Sequence, residues 1–210
     1  MNKGTVLRIK GYNNALKFFV DNKLLIITTL FLITGIIFGV FFYERYAFLE
    51  KLAENFLNAF IEKRLDVTFA KIFLDSFLGS MLIFVLLFAF GTSMLGVVFI
   101  PAILTLNGVF YGSLVSFLYT EFSLKGIAFH TVIFVPIAIF IIVGTILASL
   151  ESLDFSFLLA KHTFYQEENE PIYESFKRYS LKFLTFILLF LIAAIIDAFI
   201  SVSLLSSFNL

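Results

Sequence analysis

The 210 residues contain no cysteine, no tryptophan and only three prolines. Without cysteine there is no disulfide framework, no zinc ribbon and no thiol redox chemistry. Charge is scarce as well, since 15 Lys and Arg are cancelled by 15 Asp and Glu, and a balanced set of that size makes no basic footprint for a nucleic acid. The charges also cluster, leaving 24–43, 76–120, 126–150 and 183–210 almost bare. Hydrocarbon fills those stretches: 60% of the chain is apolar, 31 residues are Phe, and the mean hydropathy is +1.02. That composition belongs to an all-α, polytopic membrane helix bundle with the lipid bilayer as its solvent, and not to a water-soluble domain.

One crossing of a hydrocarbon core about 30 Å thick takes about 20 helical residues, so the uncharged run 76–120 holds two crossings. Its bend falls at Gly91-Thr92-Ser93-Met94-Leu95-Gly96, where two glycines and two hydroxyls interrupt the Phe/Leu/Val pattern. Five crossings are expected, at 24–43, 76–92, 97–119, 126–149 and 181–203. The second is short, so it either begins near Ala70 or stays tilted. A single integral membrane domain over 1–210 follows, with a basic tail at 1–23 and amphipathic loops at 44–75 and 151–180. The apolar core after the tail is too long for a cleavable signal and is expected to remain as an anchor. With the amino terminus inside, nine Lys and Arg flank the inner face against six on the outer face. The positive-inside rule therefore favours a cytoplasmic amino terminus and an outer carboxy terminus in a multi-pass cell-membrane protein.

In the first loop Leu49, Leu52, Phe56 and Phe60 step by three and four opposite Glu50, Lys51, Glu54, Asn58 and Glu62, an amphipathic helix. Such a helix either lies flat in the interface or docks on a partner. The second loop is expected to hold a helix through Phe155–Tyr165, an acidic turn at Glu167-Glu168-Asn169-Glu170, and Pro171 at the first position of a helix entering the last crossing.

Catalytic constellations are not evident. His130 and His162 are 32 residues apart and neither belongs to an H-E-x-x-H helix, so no metal site is expected. Gly91-Thr92-Ser93-Met94 has the form of the G-x-S-x turn of intramembrane serine proteases, with His130 as the candidate base. Hydroxyls at a helix bend ordinarily satisfy freed backbone groups instead. The sequence has no phosphate-binding glycine loop, so no cofactor is expected and any energy source is a separate chain, such as an ATPase or export subunit.

Three intramembrane polar groups stand out: Asn107, His130 and Asp197. An acid at mid-helix costs about 2.5–3.5 kcal/mol to insert, so Asp197 should face the bundle or a wet cavity and pair there, with Asn107 a candidate donor. A packing role and a proton, ion or substrate path remain alternatives. Gly35-x-x-x-Gly39, Gly108-x-x-x-Gly112 and Gly144-x-x-x-Ala148 place small residues on one helix face, which supports close packing within the chain or between copies in a homo-oligomer. Pro101 and Pro136 each fall inside a crossing, where a proline frees a carbonyl and bends the helix.

The order of these features, Gly91 and Gly96 before Pro101, Asn107-Gly108 with Gly112, Lys125-Gly126, His130, Pro136 and Ala193-Ala194-Ile195-Ile196-Asp197-Ala198-Phe199, resembles the stage II sporulation protein M family across nearly the whole chain. Members often carry Pro before the residue matching His130 and Glu where this chain has Phe134, so a site needing that Glu does not transfer. The resemblance implies a non-enzymatic subunit working with other envelope membrane proteins. The sporulation member acts with peptidoglycan-remodelling proteins, and relatives occur in circular-bacteriocin maturation, export and immunity. A permease-like subunit with a polar path around Asn107 and Asp197 is the alternative.

Overall fold

The structure is a computed structural model that describes residues 22–65, 67–165 and 171–205. The expected basic tail, apart from Asn22 and Lys23, and the acidic turn at 167–170 lie outside the described residues. Among the described residues six α-helices follow one another: α1 (Lys23–Phe42), α2 (Ala47–Glu62), α3 (Phe69–Gly91), α4 (Gly96–Phe129), α5 (Val135–Tyr165) and α6 (Ile172–Leu204). A short 3-10 turn, Tyr43–Arg45, links α1 to α2, and a π turn, His130–Phe134, links α4 to α5.

Among the described residues four apolar helical runs are long enough to cross a membrane, and the third, Gly96–Phe164, is 69 residues long. Straight, it would measure about 100 Å, three times the hydrocarbon thickness. It reverses instead at Ser123, whose φ of 49° and ψ of −125° lie outside helical space. The reversal is fixed by contacts: the Tyr111 and Tyr119 hydroxyls both reach the ring of His130, although Tyr111 and His130 would stand about 28 Å apart in one straight helix. Gly126 follows the turn because a Cβ there would strike the carbonyl of Leu118. The run therefore divides into two antiparallel apolar limbs, so the four runs hold five apolar helical segments of crossing length, where the sequence predicts five crossings. Of the two alternatives for the second segment the longer holds, since α3 begins at Phe69.

α1 and α4 are parallel and in close contact. Cβ atoms added at Gly35 and Gly39 would collide with the carbonyls of Thr105 and Val109, and Cβ atoms at Gly108 and Gly112 with those of Leu32 and Ile36. The two small-residue motifs thus serve each other within one chain. Gly144 and Ala148 serve α6 and the core in the same way, with Phe190 against Gly144 and Ala148 fully buried. α3 and α6 run antiparallel, zipped by aromatic contacts of Phe88 with Tyr179 and of Phe84 with Phe183 and Phe190 at 4.8–5.1 Å. Pairs at such distances add about 0.5–1.5 kcal/mol beyond area burial.

Three expectations are corrected. The apolar face of α2 centres on Ala53, Leu57 and Phe60, which are buried, while Leu49, Leu52 and Phe56 are only partly so. That face covers the chain's own bundle: Phe56 meets Phe110 edge-on at 4.9 Å and Phe60 meets Phe134 at 4.8 Å. The segment 151–180 is not a separate amphipathic loop, because α5 and α6 continue into it as one antiparallel pair, tied by Lys182 to Glu151 at 2.7 Å. Pro171 caps α6 from outside in an extended conformation, one residue before the position expected for it.

Candidate functional site

Asp197 sits two turns before the end of α6 with its side chain 3% exposed. Its partner is Arg64, just past the end of α2, whose Nη2 lies 2.5 Å from Oδ2 and Nε 3.3 Å from Oδ1. Ser76 Oγ on α3 donates to Oδ2, and Ser201 Oγ, one turn on along α6, donates to Oδ1 at 2.9 Å. A carboxylate has about four acceptor sites, and four donors meet this one. The guanidinium is equally engaged: Nη1 donates to the carbonyl of Phe60 at 3.2 Å, and its carbon stands 3.6 Å over the Phe60 ring. Placing a cation on a last-turn carbonyl also opposes the negative end of the α2 dipole. The cluster pins α2, α3 and α6 together at one end of the bundle.

Beside this cluster lies a cavity of about 390 Å³, lined by residues of all six helices and closed at one end by Arg64 and Asp197. Its walls are mostly apolar, among them Leu32, Ile83, Phe110, Ile141 and Ala194. Asn107 also lines it, but its Nδ2 donates to the carbonyl of Ile103 at 3.0 Å, one turn back on α4. The expected Asn107 to Asp197 hydrogen bond is therefore replaced by an Arg64 salt bridge.

His130 is buried at the reversal of the chain, with Nε2 3.0 Å from the Tyr111 hydroxyl and Nδ1 3.2 Å from that of Tyr119. A neutral imidazole donates through one nitrogen and accepts through the other, so two phenols satisfy it fully. The π turn ends where the Val135 N–H reaches the His130 carbonyl, immediately before Pro136, which has no N–H to give. Pro101 stands near the start of α4, and its carbonyl accepts from Thr105 Oγ1 at 2.9 Å. The candidate Ser93–His130 pair is not brought together: Ser93 is at the opposite end of α4 from the Tyr119 that touches His130, about 35 Å away along the helix.

At the Gly91–Gly96 bend the hydroxyls do satisfy backbone. Thr92 Oγ1 donates to the Ala89 carbonyl at 2.8 Å, and the Leu95 N–H donates to Ser93 Oγ at 3.2 Å. Side chains from α5 and α6 supply further donors, with Ser152 Oγ donating to the Leu87 carbonyl at 2.9 Å, Tyr179 Oη to that of Phe88 at 2.9 Å, and Ser156 Oγ to that of Ser93 at 2.7 Å. Gly91 and Gly96 are needed there, since side chains would strike the Tyr179 hydroxyl and the Phe90 carbonyl.

Sequence reasoning finds Asp197, His130, Asn107 and the bend, and misses Arg64, Ser76, Ser201, Tyr111, Tyr119, Ser152, Ser156 and Tyr179. Ser201 was accessible, being one helical turn from Asp197. The 149, 152 and 156 serine spacing also marks one buried face of α5.

Among known proteins, the family model described as stage II sporulation protein M matches residues 28–202. No curated protein and no solved structure matches the chain. The matched stretch takes in all of α2 to α5, most of α1 and α6, all three small-residue motifs and Asp197, and this helical membrane protein belongs to the stage II sporulation protein M family.

Proposed function

We propose that the chain is a non-enzymatic, multi-pass subunit of the cell membrane that helps assemble an envelope complex, of the peptidoglycan-remodelling, sporulation type or the circular-bacteriocin maturation, export and immunity type. The observation that carries this reading is the α5–α6 hairpin. Ser156 is level with the Gly91–Gly96 bend, and α5 continues nine residues beyond it, about 14 Å. On this projection Phe164 and Tyr173 are 75% and 77% exposed. Large aromatics held in the open on rigid helices are the usual anchors of a protein interface. The cytoplasmic amino terminus favoured by the Lys and Arg distribution puts the hairpin on the cytoplasmic side, within reach of a separate ATPase or export subunit.

The test is a photoreactive phenylalanine at Phe164 or Tyr173 in native membranes. A discrete adduct with another membrane or envelope protein is expected, and co-purification of that protein should fall in Phe164→Ser/Tyr173→Ser. Adducts with lipid alone, or turnover of a substrate by the isolated chain, would overturn the assignment.

The permease-like alternative is favoured by one observation, the cavity that Asn107 and Asp197 share. Two features weigh against it: the walls are mostly apolar and Asp197 is saturated by donors. Solute flux in reconstituted vesicles, abolished by Asp197→Asn, would establish it.

A further inference from the structure

The central cavity is open at its side. Ala59 of α2, Lys63 just past its end and Gly79 of α3 line it and are themselves exposed, which places a portal between these two helices. Gly79 differs from every other described glycine. A Cβ at the other eight would meet a neighbour at 3.0 Å or closer, whereas a Cβ at Gly79 meets nothing within 4 Å. Close helix packing or a tight turn accounts for each of the eight and not for Gly79, whose missing side chain leaves the portal clear.

At the rim stand Lys63 and Asp75. Neither enters an ion pair among the described residues, while Arg64 and Asp197 neutralise each other behind them. The opening thus presents one positive and one negative side chain, and behind it lies an apolar space. From Asp75 to Ile83, which both line the cavity, α3 rises about 12 Å. The volume of about 390 Å³ lies within the range of small-molecule sites, roughly 300–1,000 Å³.

We propose that the portal admits one acyl chain of a zwitterionic phospholipid from the surrounding bilayer, with the chain in the cavity, the phosphate on Lys63 and the ammonium on Asp75. The medium outside the portal is lipid, and an apolar cavity does not hold water well, so hydrocarbon is the filler at hand. Charge selects the headgroup. A net anionic head leaves Asp75 without a counter-charge, a net cationic head leaves Lys63 without one, and a head carrying both charges satisfies both. The α2–α3 portal also lies near the Arg64 end of the bundle, where α3 begins, and so at headgroup depth. The inference is independent of the assembly role, because a lipid seat is compatible with a scaffold or a permease.

Native mass spectrometry of the purified chain, given equimolar phosphatidylethanolamine and phosphatidylglycerol with identical chains, tests it. One phosphatidylethanolamine should be retained per chain, preferred about tenfold, a difference of about 1.4 kcal/mol. Gly79→Leu should abolish retention without changing the elution profile, and Lys63→Glu should remove the preference. Equal retention of the two lipids, no lipid retained, or retention untouched by Gly79→Leu would each overturn the proposal. If Gly79→Leu does not fold, a phosphatidylethanolamine with a photoreactive acyl chain decides the matter on the wild-type chain. Labelling of Ile83 or Ile141 inside the cavity supports the seat, and labelling confined to the outward-facing Leu78 and Leu82 refutes it.

Discussion

An ionised carboxylate in a helix made mainly of Phe, Leu, Ile and Ala persists only when other groups replace its water, and Asp197 has four such donors. Removing one partner of a buried pair leaves the other charge without compensation, which costs about 3–5 kcal/mol, whereas replacing both with apolar residues is often close to neutral. Asp197→Ala should therefore lower stability in mixed-detergent unfolding by about that amount, and Arg64→Met/Asp197→Leu should recover most of it. A loss of under about 1 kcal/mol for Asp197→Ala would mean that the pair behaves as a surface bridge. The acid was legible in the sequence because it is isolated in an apolar run. Its partner was not, because Arg64 sits beside Lys63 in a charged segment and no local pattern separates the two. Asn107 illustrates the opposite failure: depth in the helix identifies it as a polar group needing a partner, yet a carbonyl of its own helix supplies one.

At the level of elements, the hydrocarbon sets the lengths, and this is why the five segments could be located from runs of uncharged residues. Their ends were less legible. Glu151 and Asp154 end the uncharged run, which suggests a loop, but Lys182 neutralises Glu151, and Ser152 and Ser156 turn inward to cap carbonyls of the α3–α4 bend, so α5 continues. The glycine motifs show the same division. Spacing reveals a smooth face, and only tertiary structure shows that α1 and α4 use theirs on each other. Because the contact is backbone on backbone, a side chain at Gly108 has no flexible neighbour to displace: its Cβ would meet the Leu32 carbonyl and the Ile36 nitrogen. Gly108→Val should destabilise by about 1–3 kcal/mol or more through overpacking. Gly79→Ala, with open space around it in the interior of α3, should instead stabilise by about 0.5–1 kcal/mol through helix propensity. Comparable losses for the two variants in one unfolding assay would show that the α1–α4 contact is not the tight crossing described.

For the molecule as a whole, the parallel run of α1 and α4 and the antiparallel run of α3 and α6 fix which loops share an end. Tyr43 packs edge-on against Phe117 at 6.3 Å, so α2 shares its end with the reversal at Ser123. Ser156 holds the Ser93 carbonyl, so the α3–α4 bend shares the other end with the α5–α6 hairpin. Glu54 and Glu121 should thus lie on one face of the membrane, and Thr92 and Lys161 on the other; all four are exposed. The absence of cysteine from the chain makes this measurable without background. Single cysteines at the four positions, treated with a membrane-impermeant maleimide on intact cells, should divide into two labelled sites, 54 and 121, and two protected ones, 92 and 161. The reverse division would keep the fold and invert the orientation inferred from Lys and Arg. Labelling of 54 together with 161 is incompatible with five crossings, because the hydrocarbon between those two ends would then have to be crossed an even number of times.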